Sequence, residues 1–151
     1  MFFLLTLYDK LILMEEKIIK TLISTAISMT EKAYVPYSHF HVGAALLADD
    51  GTEEGKIFTG CNIENAAYGP SNCAERTAVF KAVSEGYRDF TAIAVVGGLN
   101  GEIKDFCPPC GVCRQVLAEF CDKDFKIILA KSPEEYKIFT LGDLLPESFS
   151  L

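Results

Sequence analysis

Apolar residues recur at helical or strand spacing along most of this 151-residue chain. The first such segment predicts a helix from Glu15, in which apolar positions three or four apart leave Lys17, Lys20 and Ser24 on the polar side. The helix should end before Pro36, because a residue preceding proline disfavours helical backbone. Mainly apolar segments then predict strands at 41–48, 56–62, 91–96, 125–130 and 136–140. Helical patterns return at 74–85, 112–120 and 141–145.

This order of elements predicts an α/β fold with helices on both faces of one sheet. We expect a three-layer α/β/α sandwich with one mixed five-stranded sheet. A chain of 151 residues suits one domain, which can bury roughly 70% of its unfolded surface. We assign that domain to residues 14–151, because Met14 is followed by an acidic first helical turn. Residues 1–13 are interpreted as an apolar extension of doubtful origin, either an upstream start or a loosely attached segment.

Composition narrows the function classes. The net charge is −7, and no run of Lys or Arg offers a basic surface for phosphate backbones, so nucleic acid is not an expected partner. The first apolar stretch is interrupted by Asp9 and Lys10, lacks a basic leader and is too short to span a bilayer, so we expect no membrane association. The chain is therefore interpreted as cytoplasmic, with its six cysteines reduced rather than paired in a disulfide framework.

Three cysteines carry the candidate chemistry. Cys110 and Cys113 form a Cys-x-x-Cys motif, and Cys73 offers a third thiolate. Three protein ligands leave one position of a tetrahedral zinc open, which is typical of a catalytic site. Because Cys73 and Cys110 fall near predicted helix starts, the unpaired N–H groups there favour their thiolate forms. Glu75, two residues after Cys73, can reach a group in the open position.

A closed, inactive zinc knuckle is the alternative from another class of protein. It would need a fourth cysteine, for which Cys61, Cys107 and Cys121 are available. Cys107 is the most serious of these, because only two prolines separate it from Cys110. Both sites would contain zinc, so activity after Glu75→Gln distinguishes them.

The ordered set Cys73-Ala74-Glu75-Arg76 and Pro109-Cys110-Gly111-Val112-Cys113 resembles the cytidine/deoxycytidylate deaminase family, in its small, homotetrameric, three-cysteine branch. Segments 34–40, 62–68 and 144–149 also resemble that family. The resemblance implies one Zn²⁺ per subunit, held by the three cysteines. It also implies hydrolytic deamination of cytidine and 2′-deoxycytidine to uridine and 2′-deoxyuridine plus ammonia, as in pyrimidine salvage. Zinc-bound hydroxide would attack, with Glu75 as the proton shuttle.

Glu75 and Arg76 could each have a purely structural role instead of a role at the metal. Three thiolates give the zinc centre a formal charge of −1, and we expect Arg76 to offset it by donating hydrogen bonds to ligand sulfurs. Otherwise Arg76 is a surface arginine paired with a glutamate. Glu75 could instead complete a capping box with Asn72, returning its carboxylate to the backbone of that residue.

Asn62 and Glu64 alternate at a predicted strand end, so their side chains face the same way. The resemblance implies that both hold the ribose. A carboxylate near the sugar would repel a 5′-phosphate, which favours a nucleoside over a nucleotide substrate; the alternative is ordinary turn chemistry. Another aminopyrimidine compound, such as a nucleoside antibiotic, is the nearest rival substrate.

The resemblance implies further substrate contacts and sites shared between the subunits of a homotetramer. Some contacts come from side chains and others from backbone groups. The implied side-chain contacts are Phe40 as a pocket wall, and Tyr68 and Phe149 supplied by neighbouring subunits. The backbone at Ala66 and Ala74 is implied to bind polar groups of the substrate.

Overall fold

A computed structural model describes the backbone of residues 7–151 and the side chains from Glu15 onward. The helices are α1 (Leu7–Thr30), α2 (Ala74–Ser84), α3 (Gly111–Phe120) and α4 (Leu141–Leu144). The strands are β1 (Phe40–Ala48), β2 (Lys56–Cys61), β3 (Phe90–Leu99), β4 (Lys126–Ser132) and β5 (Glu135–Thr140). Within the described chain, no helix is long and apolar enough to cross a membrane.

The first helix begins at Leu7, earlier than the predicted start near Glu15. Of the predicted extension 1–13, residues 1–6 and all of the side chains lie outside the described residues. Its assignment as an extension therefore stays a prediction.

The five strands form one sheet in the order β2-β1-β3-β4-β5. Strands β3 and β4 are parallel, whereas the other three neighbouring pairs are antiparallel. The sheet is therefore mixed, and the predicted α/β fold class is confirmed.

Alternation along the strands divides the core between the two faces of the sheet. In β1, Ala44 and Leu46 belong to one buried cluster and Ala45 and Leu47 to the other, as the two-residue period of a strand requires. Helix α1 covers the second cluster with the buried residues Ile19, Leu22, Ile23 and Ala26. Helices α2 and α3 cover the first with Ala78, Val79, Ala82 and Leu117.

The strand predicted at 91–96 is too short at its C-terminal end, because β3 continues to Leu99. Gly97 and Gly98 pair with Val42 and His41 of β1. This pairing continues β3 through two glycines, although glycine has a weak preference for strands. A Cβ on Gly98 would lie 1.9 Å from the carbonyl oxygen of Glu102. Glycine there permits the turn after β3 to fold closely against the strand.

The topology brings the starts of two helices together. Strands β2 and β3 run in the same direction, because each is antiparallel to β1. Helices α2 and α3 follow these two strands and therefore begin at the same edge of the sheet, the edge where ligands bind in open α/β sheets. A Cβ on Gly60 would lie 2.1 Å from the carbonyl oxygen of Ala74, so glycine allows the first turn of α2 to rest directly on β2.

Candidate metal centre and active site

Three cysteine sulfurs converge where α2 and α3 begin. Cys73 is the N-cap of α2, Cys110 is the N-cap of α3, and Cys113 follows one turn later. Residues three apart in a helix share a face, which turns the Cys113 sulfur towards that of Cys110. The Sγ atoms of Cys73 and Cys110 are 3.8 Å apart, and those of Cys110 and Cys113 are 3.6 Å apart. All three lie within 4.8 Å of one another.

This cluster fits zinc by its spacing and its donor set. Sulfurs held about 2.3 Å from a tetrahedral zinc would be separated by about 3.8 Å. All six cysteines lie in the described part of the chain, and none forms a disulfide. Cys61, Cys107 and Cys121 are outside the cluster, so no fourth sulfur closes the site. The closed zinc knuckle therefore lacks the fourth cysteine ligand that it requires.

Arg76 supplies positive charge beside these sulfurs. Its Nη2 donates to the Sγ of Cys73 at 3.3 Å, and its Nε is buried with no hydrogen-bond partner in the described residues. A hydrogen bond from the Cys113 thiol, together with Arg76, lowers the pKa of Cys73 to about 5. No described carboxylate forms an ion pair with Arg76, so the surface-pair alternative finds no support. The local charge therefore favours the thiolate that a metal requires.

Glu75 is buried in the first turn of α2 and is only 4% exposed. Burial raises the pKa of its carboxyl to about 7, and the neighbouring Cys73 thiolate acts in the same direction. The N-cap is Cys73 rather than Asn72 and makes no side-chain cap, so the capping box does not form. A carboxyl with a pKa near neutrality can both accept and donate a proton at physiological pH.

Asn62 and Glu64 lie just past the end of β2, where Asn62 contacts the start of β1 and Glu64 contacts the segment before it. Asn62 Oδ1 accepts the N–H of Val42, and its Nδ2 donates to the carbonyl of Phe40, both at 2.8 Å. The carboxylate of Glu64 accepts the N–H of Tyr37 at 2.9 Å. Both side chains therefore use their polar atoms to hold the backbone on either side of Phe40.

Backbone pairing connects that segment to the metal cluster. Ile63 and Asn72 exchange both N–H···O bonds, at 3.0 and 2.9 Å. Because Asn72 directly precedes Cys73, the segment that carries Asn62 and Glu64 lies beside the first cysteine of the cluster. Ala74 is fully buried at the start of α2.

The remaining predicted contact residues are exposed and have no described contact with the three cysteines. Tyr68 is 75% exposed and contacts the Tyr37 ring edge-on, with centroids 6.3 Å apart. Ala66 is exposed in the same loop. Phe149 is 68% exposed and lines a cavity with Cys121 at the far end of α3.

Two residues with polar contacts at the site were missed by sequence reasoning. The Ser38 hydroxyl donates to the Glu64 carboxylate, and the Arg114 side chain donates to the backbone of Pro109. The available signal for Arg114 was its position directly after the ligand Cys113. Ser38 has no comparable signal, because its partner is 26 positions away.

An open three-thiolate cluster beside a buried carboxyl defines a zinc enzyme rather than a structural zinc module. A family model described as the cytidine and deoxycytidylate deaminase zinc-binding region matches residues 16–129. The chain therefore belongs to the cytidine and deoxycytidylate deaminase family. The predictions of a zinc-dependent deaminase and of zinc as its cofactor are confirmed.

Individual relatives agree with this assignment. A protein named cytidine deaminase from Sporosarcina psychrophila is 51% identical over 132 residues, covering 87% of this chain and 91% of the relative. Another from Halalkalibacterium halodurans is 53% identical over 129 residues, covering 85% and 92%. The crystal structure of cytidine deaminase from Burkholderia pseudomallei has a TM-score of 0.76 at 48% identity, covering 85% of this chain and 97% of that one.

Proposed function

We propose that this protein hydrolyses cytidine and 2′-deoxycytidine to uridine and 2′-deoxyuridine, releasing ammonia. The observation that carries the proposal is the buried Glu75 carboxyl, two residues after Cys73 and beside the three-sulfur cluster. The names of the similar proteins support the substrate class.

Cys73, Cys110 and Cys113 would hold the metal. A bound Zn²⁺ supplies a nucleophile at neutral pH by lowering the pKa of water from 15.7 to roughly 7. Glu75 takes the proton from that water and transfers it to N3 of the pyrimidine, which makes C4 more electrophilic. As the water oxygen bonds to C4, Glu75 takes the second proton from that oxygen and passes it to the exocyclic amine, so that the C4–N bond breaks, ammonia leaves and a C4 carbonyl remains. A pKa of about 7 suits a group that must be base and acid in turn.

Arg76 tunes the centre by withdrawing charge from the sulfurs. Its contact of 3.3 Å with the Cys73 sulfur supports this role. Three thiolates on a divalent metal leave a formal charge of −1, which weakens the polarisation of water. The guanidinium reduces that excess while keeping the cysteines deprotonated.

Asn62 and Glu64 provide the sugar side of the site, with Phe40 as the neighbouring apolar wall. The hydroxyl of Ser38 lowers the pKa of the Glu64 carboxyl, with help from the N–H of Tyr37, so the group stays ionised. An ionised carboxylate accepts hydrogen bonds from sugar hydroxyls and repels a 5′-phosphate. These properties favour a nucleoside over a nucleotide.

The protein acts in the cytoplasm, in pyrimidine salvage, as a homotetramer with sites shared between subunits. The exposure of Tyr68 and Phe149 supports sharing, because large aromatic side chains gain most from burial in an interface. The backbone of Ala66 and that of Ala74 bind polar groups of the substrate.

Ammonia release from cytidine by zinc-loaded protein tests the proposal. Glu75→Gln keeps the shape of the side chain but cannot take up the proton, and we expect activity to fall by about 10²- to 10⁴-fold. Metal analysis of both proteins provides the control and should give equal zinc contents. No ammonia from wild type, or a Glu75→Gln rate close to that of wild type, would exclude the proposed reaction.

A further inference from the structure

We propose that Arg114 is a positioning residue. It connects the backbone directly before the ligand Cys110 to the start of the C-terminal segment, residues 145–151. Its Nε donates to the carbonyl of Pro109 at 2.7 Å, directly before the ligand Cys110. Its Nη1 donates to the carbonyl of Leu144 at 2.6 Å, directly before the C-terminal segment. One side chain therefore holds two parts of the fold that are 35 residues apart in the chain (144 − 109).

Both carbonyls need a partner from outside their own helix. Pro109 is buried and precedes the N-cap of α3, so its carbonyl lies outside the hydrogen-bond ladder of that helix. Leu144 ends α4, and the last carbonyls of a helix have no partner within it. The planar guanidinium presents its donors in a fixed fork, which sets the distance between the two carbonyls. A lysine ammonium could reach one carbonyl but would not fix this geometry.

The C-terminal segment has few other anchors on α3. Gln115, the next residue, donates from Nε2 to the carbonyl of Phe149 at 3.4 Å, near the limit for a hydrogen bond. A cavity of about 270 Å³ separates the segment from α3 and is lined by Ala118, Cys121 and Phe149 among others. Leu145 packs against the core, and beyond it the segment is joined to α3 by the contact between Gln115 and Phe149.

Two consequences follow from this arrangement. The contact with Pro109 fixes the backbone that presents Cys110, so Arg114 should slow the loss of zinc. The contact with Leu144 fixes the origin of the segment that carries Phe149, so the same side chain should restrict that segment. The catalytic meaning of the second consequence rests on the proposed role of Phe149, but its structural test does not.

Arg114→Lys tests both consequences, with Arg88→Lys as the matched control. Arg88 also donates to two backbone carbonyls, those of Val83 and Tyr87, each at 2.8 Å, but at the opposite end of α2 from the metal. The first measurement is the rate at which a chromogenic chelator removes zinc from the loaded protein. The second is the rate of limited proteolysis beyond Leu144.

We expect Arg114→Lys to lose zinc about tenfold faster and to be cleaved faster in the C-terminal segment, while Arg88→Lys behaves as wild type. Wild-type rates for Arg114→Lys in either measurement would overturn the proposal. Equal acceleration in Arg88→Lys would do the same, because it would indicate general loosening. Neither measurement uses catalytic activity, so a failure of the proposed reaction would be distinguished from a failure of this inference.

Wild-type protein provides a second test if Arg114→Lys does not fold. Hydrogen–deuterium exchange is compared between the zinc-loaded and zinc-stripped states. Coupling through Arg114 predicts that removal of zinc increases exchange at residues 144–149 as well as at 110–113, with no increase at 83–88. Unchanged exchange at 144–149 would overturn the proposal.

Discussion

The metal cluster and the proposed sugar side of the site are built in different ways. The three sulfurs lie at the starts of two helices that pack on one sheet face, and the adjoining Glu75 is buried. Asn62 and Glu64, the residues proposed to bind the sugar, follow a strand end and use their polar atoms to hold neighbouring backbone. Beyond them, Tyr68 and Phe149 remain exposed. A single chain therefore completes the three-sulfur cluster, whereas Tyr68 and Phe149 stay exposed, as the proposed sharing of sites between subunits requires.

The largest effect should come from removing a metal ligand. Cys113 is fully buried, and its sulfur has no substitute in the described cluster. We expect Cys113→Ser to lose zinc and to reduce deamination by more than about 10³-fold, since the hard hydroxyl of serine is a poor zinc ligand beside thiolates. Metal analysis and ammonia release measure the two effects.

Cys121→Ser is the control for that variant. Cys121 is partly buried, and its sulfur lies outside the cluster. It should keep its zinc. Equal zinc loss from both variants would show that thiol burial, rather than ligation, controls metal content.

Glu64→Gln should have an intermediate effect on the sugar side. The amide preserves the size of the side chain but removes the charge that accepts hydrogen bonds from Ser38 and Tyr37. Hydrogen bonds to charged groups contribute roughly 1.5–3 kcal/mol, so kcat/KM for cytidine should fall about 10- to 100-fold with zinc content unchanged. Steady-state kinetics on cytidine measure this change.

Asp50→Asn is the matched control for Glu64→Gln. Asp50 likewise accepts both the hydroxyl and the backbone N–H of Thr52, but it lies in the turn between β1 and β2. Its kinetics should match those of wild type. A wild-type kcat/KM for Glu64→Gln would remove Glu64 from the substrate site.

Phe149→Ala should have the smallest effect, and it tests the shared pocket. Aromatic stacking contributes about 0.5–1.5 kcal/mol beyond burial, which predicts a rise in KM for cytidine of about 3- to 10-fold. Leu151→Ala, which truncates another exposed apolar residue of the same segment, should leave KM unchanged. Light scattering of wild type should give a tetramer. A fully active monomer would contradict the sharing of sites.

Periodicity was enough to predict the elements of the fold, because burial imposes a period near 3.6 on helices and of 2 on strands. It could not predict the last residues of β3. There, pairing of Gly97 and Gly98 with β1 decides the structure, and glycine itself has little preference for a strand. The early start of α1 at Leu7 was missed as well. Element ends depend on neighbours in space more than on local pattern.

In the candidate site, too, residues with local signals could be assigned from the sequence, whereas residues with distant partners could not. Cys73, Cys110, Cys113 and Glu75 could be selected from their chemistry and local spacing, since ligand type and short separations are written directly in the chain. The contact of Arg76 with Cys73 also follows from helical spacing. Ser38 and Arg114 could not be assigned in this way. Their partners, Glu64 and Leu144, are 26 and 30 positions away.

The sequence by itself determined which metal chemistry this protein carries and which segments form helices and strands, because both depend on residue type at short range. Only the tertiary structure decided that β2 and β3 run the same way and so bring two helix starts to one edge. It also decided that Glu75 is buried deeply enough to raise its pKa to about 7. The physical reason is that desolvation and long-range pairing depend on which surfaces meet, and that follows from the packing of the whole domain.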